Sequence, residues 1–570
     1  MAEPVEWRAD GTPFSPRFQD RYRSEDGGLA QARDVFLAGC GLPGAWRGRA
    51  GWCVLETGFG LGLNFLATWQ AWRDDPDRPA LLHYLATEAY PATAGDLRRN
   101  AAADAALQPL GDALADAWHG LEPGTHRIAL DGGRVLLTLL VGDSGPSLRG
   151  LGRWADCVYL DGFSPERNPD MWDGDALRAV ARCCRPQARL ATWTVARSVR
   201  DALTSAGFAV RKVEGVPPKR HNLQAELVHL PARHRQAAAV TPGRCTVVGA
   251  GLAGAAVARG LALRGWRVTV LEAGPAAASG ASGVPAGLFA PHVSADDAVL
   301  SRLTRAGVRA LVGTARDLLR QGTDWDLSGV RQLQDGEPAL WHAHAGWLRP
   351  ARLVQALLAT PGIEVVYGHR LASLDDAADL TIVATGHAAG ALLQHGLALQ
   401  PVAGQVSFGA SADAGCNPDA PWNGHGHFLP AVPGDGTPPF WLAGASFERD
   451  VQDIDIPSAE RMRHREANRQ RLGELLPPLA ERLPGMFAAA GDWRGIRGTS
   501  PDRLPVVGPW PDPASRVWTC TALGARGMTT ALLCAEVLVA RLHGEPLPIA
   551  PRLAEAIGTE RIARRLARNA

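Results

Sequence analysis

Residues 51–230 alternate short apolar runs with longer stretches that have helical periodicity. The apolar runs predict six strands, at residues 52–56, 81–88, 135–141, 157–161, 189–194 and 209–213. Strands that are separated by helical segments are typical of a parallel, doubly wound sheet with helices on both faces. The pattern therefore predicts an α/β fold of Rossmann-like type for the first part of the chain.

A second α/β unit begins after a segment of turn-forming residues that has no apolar periodicity. A strand at residues 245–248, a helix at residues 255–264 and a strand at residues 266–272 follow that segment. The predicted division is a first domain at 1–235, a linker at 236–243 and a second domain at 244–570. An α+β substrate-binding subdomain at about 300–490 is expected to interrupt the second domain, because similar cofactor-type segments flank it.

Length and composition agree with two domains of an ordinary globular protein. A chain of 570 residues is too long for one hydrophobic core, and its net charge of +1 gives no global argument for a nucleic-acid partner. No apolar run reaches the roughly 18 residues of a membrane span, and no signal peptide is recognisable, so a cytoplasmic location without membrane contact is expected. The nine cysteines form no C-x-x-C pair. We expect no metal, and the sequence leaves the oligomeric state open, with a monomer as one possibility.

The first cofactor motif is a run of alternating glycines between a predicted strand and a predicted helix. Glycines let a backbone turn sharply and approach a ligand closely. An NAD site needs the spacing G-x-G-x-x-G, which this run lacks, so S-adenosylmethionine is favoured. Acidic residues at the ends of neighbouring strands are suited to ribose hydroxyls and the adenine amino group. The predicted S-adenosylmethionine site comprises Glu56, Gly58, Gly60, Gly62, Asn64, Glu88 and Asp143.

The fourth predicted strand ends in Asp161, where a methyl acceptor would lie, because ligands of open α/β sheets bind beyond the carboxyl ends of the strands. An amine must be neutral to attack a methyl group, and a nearby carboxylate can position the amine and receive its proton. Phe163 and Trp172 could stack on a flat base. Pro165 and Asn168 complete the predicted acceptor pocket. The alternative, in which Asp161 caps a loop and the aromatic residues fill a core, stays open.

The second cofactor motif is complete. Gly249, Gly251 and Gly254 have the G-x-G-x-x-G spacing after an apolar strand, and Glu272 follows at the distance of a ribose-binding carboxylate. A loop of small residues containing Ser279 and Gly283 could wrap a pyrophosphate and a flavin edge. This loop favours FAD over NAD.

A glycine-rich turn near the C-terminus, with Gly524, Arg526, Gly527 and Met528, precedes a predicted helix at residues 529–541. The dipole of that helix would stabilise negative charge on a reduced flavin. Together with residues 495–508, the turn resembles the closing segments of the glycine oxidase and D-amino acid oxidase family. The resemblance implies that Arg497 holds a substrate carboxylate through its bidentate fork and that Arg526 lies near the flavin or the substrate. An ordinary surface ion pair is the alternative for Arg497.

Two stretches of the first half are more specific than glycine spacing alone. They are Glu56-Thr-Gly-Phe-Gly-Leu-Gly-Leu-Asn-Phe-Leu66 and Asp161-Gly-Phe-Ser-Pro-Glu-Arg-Asn-Pro-Asp-Met-Trp172. The pair resembles the methyltransferase half of the bifunctional tRNA 5-methylaminomethyl-2-thiouridine biosynthesis family, MnmC. The order methyltransferase, then oxidase, also agrees with that family. The resemblance implies FAD-dependent removal of the carboxymethyl group from 5-carboxymethylaminomethyl-(2-thio)uridine, followed by methylation of the exposed amine.

Basic residues concentrate at 178–220, and such a surface beside the acceptor cleft would contact the phosphates of a tRNA anticodon region. The predicted tRNA contacts are Arg197, Arg200, Lys219 and Arg220, with a loop at 217–222 and a basic tail at 561–568 as further candidates. Charge runs are also common on solvated faces, so this interpretation stays open.

Three alternatives of other classes remain at this point. They are a small-molecule amine oxidase fused to an N-methyltransferase, an NAD-dependent dehydrogenase, and a non-catalytic tRNA-binding protein.

Overall fold

The computed structural model describes residues 3–23, 28–215, 219–229, 240–334, 337–374, 380–393, 397–414 and 419–569. Two compact units divide the chain: residues 1–239 with 543–550, and residues 240–542 with 551–570. The segment 543–550 groups with the first unit, although its position in the sequence suggested the second. Two contacts join this segment to the rest of the first unit: Arg127 donates to the Pro546 carbonyl at 2.7 Å, and His83 lies 3.6 Å from Glu545. Of the predicted linker, residues 236–239 lie outside the described residues.

An eight-stranded sheet forms the centre of the first unit. In spatial order its strands are Phe208–Glu214, His221–Leu227, Cys184–Thr192, Ala155–Leu160, Gly51–Thr57, Leu81–Glu88, Val135–Val141 and Gly124–Leu130. The five central strands are parallel, whereas His221–Leu227 and Gly124–Leu130 pair antiparallel with their neighbours. These two strands were not predicted, so the sheet is mixed at both edges. All seven residues of Val135–Val141 are buried, as in strands covered on both faces.

The strand Gly51–Thr57 lies at the point where the strand order of this sheet reverses. Leu81–Glu88 pairs with it on one side and Ala155–Leu160 on the other. Connections that leave a sheet in opposite directions open a crevice at the carboxyl ends of the two strands. The glycine loop (residues 58–62) and Asp161 both begin at this crevice.

Helices cover the first sheet, and a small three-stranded sheet precedes it. The helices are Gly28–Gln31, Ala32–Leu37, Leu63–Asp74, Ala94–Ala101, Gln108–Asp116, Ser144–Leu148, Gly174–Cys183 and Arg197–Ser205. The small sheet consists of Glu6–Trp7, Pro13–Ser15 and Asp20–Arg21. Short 3₁₀ turns lie at Ala38–Cys40, Gly44–Trp46, Asp131–Gly133 and Pro169–Trp172.

A six-stranded sheet forms the cofactor-type part of the second unit. Its spatial order is Ile363–Val366, Arg267–Leu271, Arg244–Val248, Leu380–Val383, Val517–Thr521 and Val506–Pro509. Only the last of these pairs antiparallel. Ile363–Val366 and Leu380–Val383 fall inside the range predicted for the inserted subdomain, so that prediction of one continuous insertion is wrong. Strands of four residues carry too little periodicity to be separated from their surroundings.

A second, mostly antiparallel sheet supplies the rest of this unit. Its strands are Glu337–His342, Val330–Gln334, Trp422–Asn423, His427–Val432, Phe440–Gly444, Gln400–Ala410 and Glu448–Arg449, with Gly491–Thr499 pairing along Gln400–Ala410. A small sheet joins Gly287–Phe289, Gly346–Leu348 and Trp325–Asp326. Gly491–Thr499 carries Arg497, so this sheet positions the predicted carboxylate-binding side chain.

The helices of the second unit lie against both of its large sheets. They are Leu252–Ala262, Val299–Leu318, Pro350–Leu358, Ala389–Leu393, Ser458–Leu475, Leu483–Ala488, Gly527–His543, Pro551–Ala556 and Glu560–Asn569. Among the described residues of the whole chain, no helix has both the length and the apolar character that crossing a membrane requires.

Candidate active sites

A cavity of about 840 Å³ opens at the carboxyl ends of the first sheet. The predicted residues that line it are Gly58, Gly60, Asn64, Glu88, Asp143, Asp161, Phe163, Asn168 and Lys219. Glu56, Gly62, Pro165 and Trp172 do not line it, and neither do Arg197, Arg200 and Arg220. The structure thus brings most of the predicted cofactor and acceptor residues to one place.

The glycine loop at 58–62 requires glycine for two separate reasons. Gly58, Gly60 and Gly62 all have positive φ, at 76°, 54° and 73°. A Cβ on Gly58 would also lie 3.0 Å from the carbonyl oxygen of Asp161. The amide of Gly60 donates to the Glu88 carboxylate at 2.8 Å, which fixes the loop against the next strand. Burial raises the pKa of Glu88 to about 7.

Asn64 connects two carboxylates beneath the cavity. Its amide nitrogen donates to Glu56 Oε1 at 2.7 Å and to Asp161 Oδ2 at 2.8 Å. Tyr84 donates to the other oxygen of Glu56 at 2.9 Å, and Glu56 is only 1% exposed. Burial and the nearby charge of Asp161 raise the pKa of Glu56 well above its usual value. Glu56 therefore supports the loop from below, through Asn64.

Asp161 is held by donors on both of its carboxylate oxygens. Oδ1 accepts from the Gly162 amide at 2.8 Å and from the Trp193 indole at 3.0 Å, while Oδ2 accepts from Asn64. Burial raises the pKa of Asp161 to about 6, against the opposing effect of these hydrogen bonds and of Lys219. The group is therefore mainly ionised at neutral pH, yet basic enough to accept a proton.

One aromatic residue of the predicted acceptor pocket lies at the cavity and the other does not. Phe163 stacks on Phe18 with ring centroids 4.6 Å apart and meets Tyr22 edge-on at 5.1 Å. Trp172 is 4% exposed in the core of the first unit, and its indole donates to the Phe163 carbonyl at 2.8 Å. The prediction that Trp172 stacks on a base is therefore wrong, because its ring is enclosed by core residues.

Sequence reasoning missed several cavity residues, among them Phe18, Tyr22 and Trp193. Trp193 directly follows the strand Cys184–Thr192, so the rule that located Asp161 could also have found it. Phe18 and Tyr22 precede the first predicted strand, and no pattern in the sequence marks them.

The predicted tRNA contacts have different environments. Arg197 is 86% exposed and lies 3.6 Å from Asp201. Arg200 is half-buried, Arg220 is exposed, and Lys219 Nζ lies 3.6 Å from the centre of the Trp193 ring. Of the further candidates, residues 217 and 218 and the side chains of 565–570 lie outside the described residues. Arg561 in the predicted basic tail pairs with Asp502 at 2.9 Å.

The G-x-G-x-x-G turn of the second unit has the geometry of a dinucleotide-binding motif. Gly249 has a φ of 104°, and a Cβ on Gly254 would lie 1.8 Å from the Gly249 carbonyl oxygen. The Glu272 carboxylate accepts from the amides of Ala250 at 2.7 Å and Gly274 at 2.8 Å. Only glycine at residue 254 lets the helix Leu252–Ala262 approach the strand this closely.

The small-residue loop returns to the start of this helix. Ser282 Oγ accepts from the Leu252 amide at 3.0 Å, at the first residue of the helix. Ser279 donates to the Ala276 carbonyl, and a Cβ on Gly283 would lie 2.7 Å from the Ala278 carbonyl oxygen. The loop is therefore folded against the end of the helix where a pyrophosphate would bind.

The C-terminal turn precedes a long helix, as predicted. Gly524 has a φ of 58°, and the helix Gly527–His543 begins three residues later. The Arg526 guanidinium lies 3.3 Å from His292 Nδ1, and Met528 packs directly against Gly287. Burial and Arg526 lower the pKa of His292, so its imidazole is neutral at physiological pH.

Arg497 has no carboxylate partner among the described residues. The alternative, an ordinary surface ion pair, is therefore not observed. Its guanidinium donates to the Ser446 carbonyl at 3.4 Å and lies 4.6 Å from the centre of the Phe447 ring. Burial lowers the pKa of Arg497. Burial and Arg497 together lower the pKa of His427 to about 4. The site thus offers a desolvated positive charge beside a neutral imidazole.

Comparison with known proteins identifies both cofactor-type domains. Residues 105–228 match the family model of S-adenosyl-L-methionine-dependent methyltransferases, and residues 244–339 and 330–541 match that of FAD dependent oxidoreductases. These matches confirm the predicted fold class and both cofactors, and they remove NAD as the alternative. The glycine oxidase of Geobacillus kaustophilus matches 54% of this chain with 96% of its own, at 20% identity and a TM-score of 0.43.

Relatives match the chain from end to end. The tRNA 5-methylaminomethyl-2-thiouridine biosynthesis bifunctional protein MnmC of Delftia acidovorans is 47% identical, over 99% of this chain and all of its own length. The protein of the same name from a Polaromonas species is 47% identical over 98% of both chains. This chain belongs to the family of bifunctional tRNA 5-methylaminomethyl-2-thiouridine biosynthesis proteins, MnmC.

Proposed function

We propose that the chain modifies the wobble uridine of tRNA in two steps. The FAD half removes the carboxymethyl group from 5-carboxymethylaminomethyl-(2-thio)uridine, and the methyltransferase half then methylates the 5-aminomethyl group. The observation that carries this proposal is the match to bifunctional relatives over 99% of one chain, which contains both cofactor folds. Both steps act on the same exocyclic nitrogen.

In the oxidative step, Arg497 binds the carboxylate of the substrate. Its guanidinium is partly desolvated and has no acidic partner among the described residues, so a carboxylate would supply the missing charge. His427 beside it is neutral, so Arg497 supplies the positive charge. FAD, when bound, would supply the hydride acceptor for the carboxymethyl methylene, and addition of water to the resulting imine would yield the aminomethyl group and glyoxylate. Gly249, Gly251, Gly254 and Glu272 would hold the dinucleotide, with the turn at 524–528 beside the flavin.

In the methylation step, Asp161 accepts a proton from the aminomethyl group. A protonated amine has no lone pair for attack, and the Asp161 carboxylate has the basicity to withdraw one proton near neutral pH. The neutral nitrogen then bonds to the methyl carbon of S-adenosylmethionine as the carbon–sulfur bond breaks. Glu88, Asn64, Asp143 and the glycine loop would hold the cofactor, while Phe163 would stack on the base.

The tRNA is proposed to bind through its anticodon region. Unpaired anticodon bases can be splayed out and stacked on aromatic side chains, whereas bases within a duplex are hidden. Lys219 lies at the cavity, with exposed Arg220 and Arg197 as further phosphate contacts. Such a substrate implies action in the cytoplasm. A division near residues 235–244, with 543–550 returning to the first unit, and a monomeric state are also part of the proposal.

Undermodified tRNA provides the direct test. The protein is incubated with tRNA that carries 5-carboxymethylaminomethyl-2-thiouridine, and the nucleosides are then separated and weighed by mass spectrometry. We expect the 5-aminomethyl nucleoside without S-adenosylmethionine and the 5-methylaminomethyl nucleoside with it. An unchanged wobble nucleoside in both reactions would overturn the proposal. Hydrogen peroxide formation from free glycine derivatives, without RNA, would instead favour the amine oxidase alternative.

A further inference from the structure

Trp193 contacts two charged residues of the methyltransferase cavity. Its indole nitrogen donates to Asp161 Oδ1 at 3.0 Å, and Lys219 Nζ lies 3.6 Å from the centre of its ring. Lys219 is one of only two lysines in the chain. A single side chain therefore lies between the proposed base and a cation that also lines the cavity.

The hydrogen bond from Trp193 restricts the orientation of the Asp161 carboxylate. With the Gly162 amide and Trp193 on Oδ1 and Asn64 on Oδ2, three donors from three different segments fix its plane. The second lone pair of Oδ2 is left for a substrate proton. Among the described residues, the indole N–H is the only side-chain donor to Oδ1, so its loss would leave the carboxylate free to rotate.

The ring of Trp193 performs a separate task. A lysine side chain is flexible, and a cation is attracted to the face of an indole ring. Lys219 is exposed and faces the carboxylates of Asp20 and Asp161. The indole thus favours one location of the ammonium group, at the acceptor side of the cavity.

We propose that Trp193 is a positioning residue for methyl transfer: its N–H orients Asp161, and its ring places Lys219 where a phosphate of the acceptor nucleotide can bind. This proposal rests on the proposed function of the first unit. It assigns the two tasks to different parts of one side chain, so substitutions can separate them.

Four variants of the full-length protein divide these tasks. Trp193→Phe keeps an aromatic face but loses the N–H. Trp193→Leu loses both, and Lys219→Met removes only the cation. Trp46→Phe is the matched control, since the Trp46 indole donates to Asp75 Oδ2 at 2.7 Å and neither residue lines the cavity. Equilibrium binding of S-adenosylmethionine and the oxidative activity of each variant report whether both units are folded.

The first readout is the pH profile of kcat/KM for methylation of tRNA already carrying the 5-aminomethyl group. The charged groups that face Asp161 are Lys219 and Glu56, with Glu88 acting on Glu56. The Trp193 hydrogen bond lowers the pKa of Asp161, so losing it should move the acidic limb to higher pH in Trp193→Phe. A shift of about one pH unit is expected. The Trp46→Phe profile should coincide with that of the wild type.

The second readout is the dependence of tRNA affinity on salt concentration. Removing one phosphate contact should lower the slope of log K against log salt by about one. We expect this loss in Lys219→Met and in Trp193→Leu, but not in Trp193→Phe, which keeps the ring. A Trp193→Phe pH profile that coincides with the wild type, or an unchanged slope in Trp193→Leu, would overturn the proposal. A wild-type protein that transfers no methyl group to tRNA would instead refute the proposed function.

Discussion

The two candidate sites differ in the sign of the charge that each withdraws from water. In the first unit, burial raises the pKa values of Glu56, Glu88 and Asp161. In the second unit, burial lowers the pKa values of Arg497 and Arg526. Desolvation acts against the charged form in both cases, but it has opposite chemical uses.

A desolvated carboxylate becomes a stronger base, which suits a site that must take a proton from an amine. A desolvated guanidinium stays positively charged because its pKa starts far above neutrality, so burial strengthens its attraction for an anion without neutralising it. The first unit is therefore organised to move a proton and the second to hold a carboxylate. Substitutions that remove each charge test this comparison most directly.

The largest expected effect follows from Asp161→Ala. Loss of a general base costs about 10²–10⁴ in rate, so the nucleoside product should stop at the 5-aminomethyl form. Mass spectrometry of the digested tRNA measures this product. Flavin content and carboxymethyl removal in the same protein serve as the control, because Arg497 and the FAD turn belong to the other unit. Loss of both activities would contradict the assignment of separate sites.

Arg497→Ala should affect the other step. Removing a charge-assisted bidentate contact costs about 2–5 kcal/mol, so kcat/KM for carboxymethyl removal should fall by about thirtyfold or more. The carboxymethyl nucleoside should accumulate, whereas tRNA that already carries the aminomethyl group should still be methylated. Arg497→Lys keeps the charge without the planar fork, so its kcat/KM should lie between those of the wild type and Arg497→Ala. An unchanged kcat/KM for carboxymethyl removal in Arg497→Ala would refute the proposed role of Arg497 in carboxylate binding.

Much of both sites follows from strand ends and glycine spacing. Asp161, Glu88 and Glu272 could be located because each follows an apolar run that the structure confirms as a strand. Gly254 is required because the helix and strand of a dinucleotide fold approach closely, which is a local rule that the motif encodes.

The residues that could not be predicted depend on long-range packing. Phe18 comes from a segment 145 positions before Phe163, and nothing in the sequence connects the two. Trp172 has the composition of a stacking residue, but neighbours distant in sequence enclose its ring. The strands Ile363–Val366 and Leu380–Val383 join the FAD sheet through pairings with remote strands, which periodicity in a short segment cannot reveal.

The pH dependence of the two steps should differ. Asp161 must be ionised to accept a proton, so methylation should fall below its pKa of about 6, by about tenfold between pH 7 and pH 5. In the oxidative site, burial and Arg497 hold the pKa of His427 at about 4, so this imidazole stays neutral over the same range. Initial rates of each step at saturating tRNA measure the difference. A methylation rate that is constant from pH 7 to pH 5 would refute Asp161 as the base.

The smallest expected effect concerns the exposed arginine at the edge of the first site. Arg197 begins the helix after the strand Cys184–Thr192, on the side of the sheet where the cavity opens, and its exposed pairing with Asp201 contributes little stability. Arg197→Ala should leave folding unchanged. It should lower the slope of log K for tRNA binding against log salt concentration by about one. Arg47→Ala is the matched control, since Arg47 forms a similar exposed pair with Asp77 but precedes the strand Gly51–Thr57, at the opposite edge. Equal slopes for the two variants, measured by titration at several salt concentrations, would show that the basic segment is a solvated face. A lower slope for Arg197→Ala alone would place the phosphate path on the side where Asp161 accepts its proton.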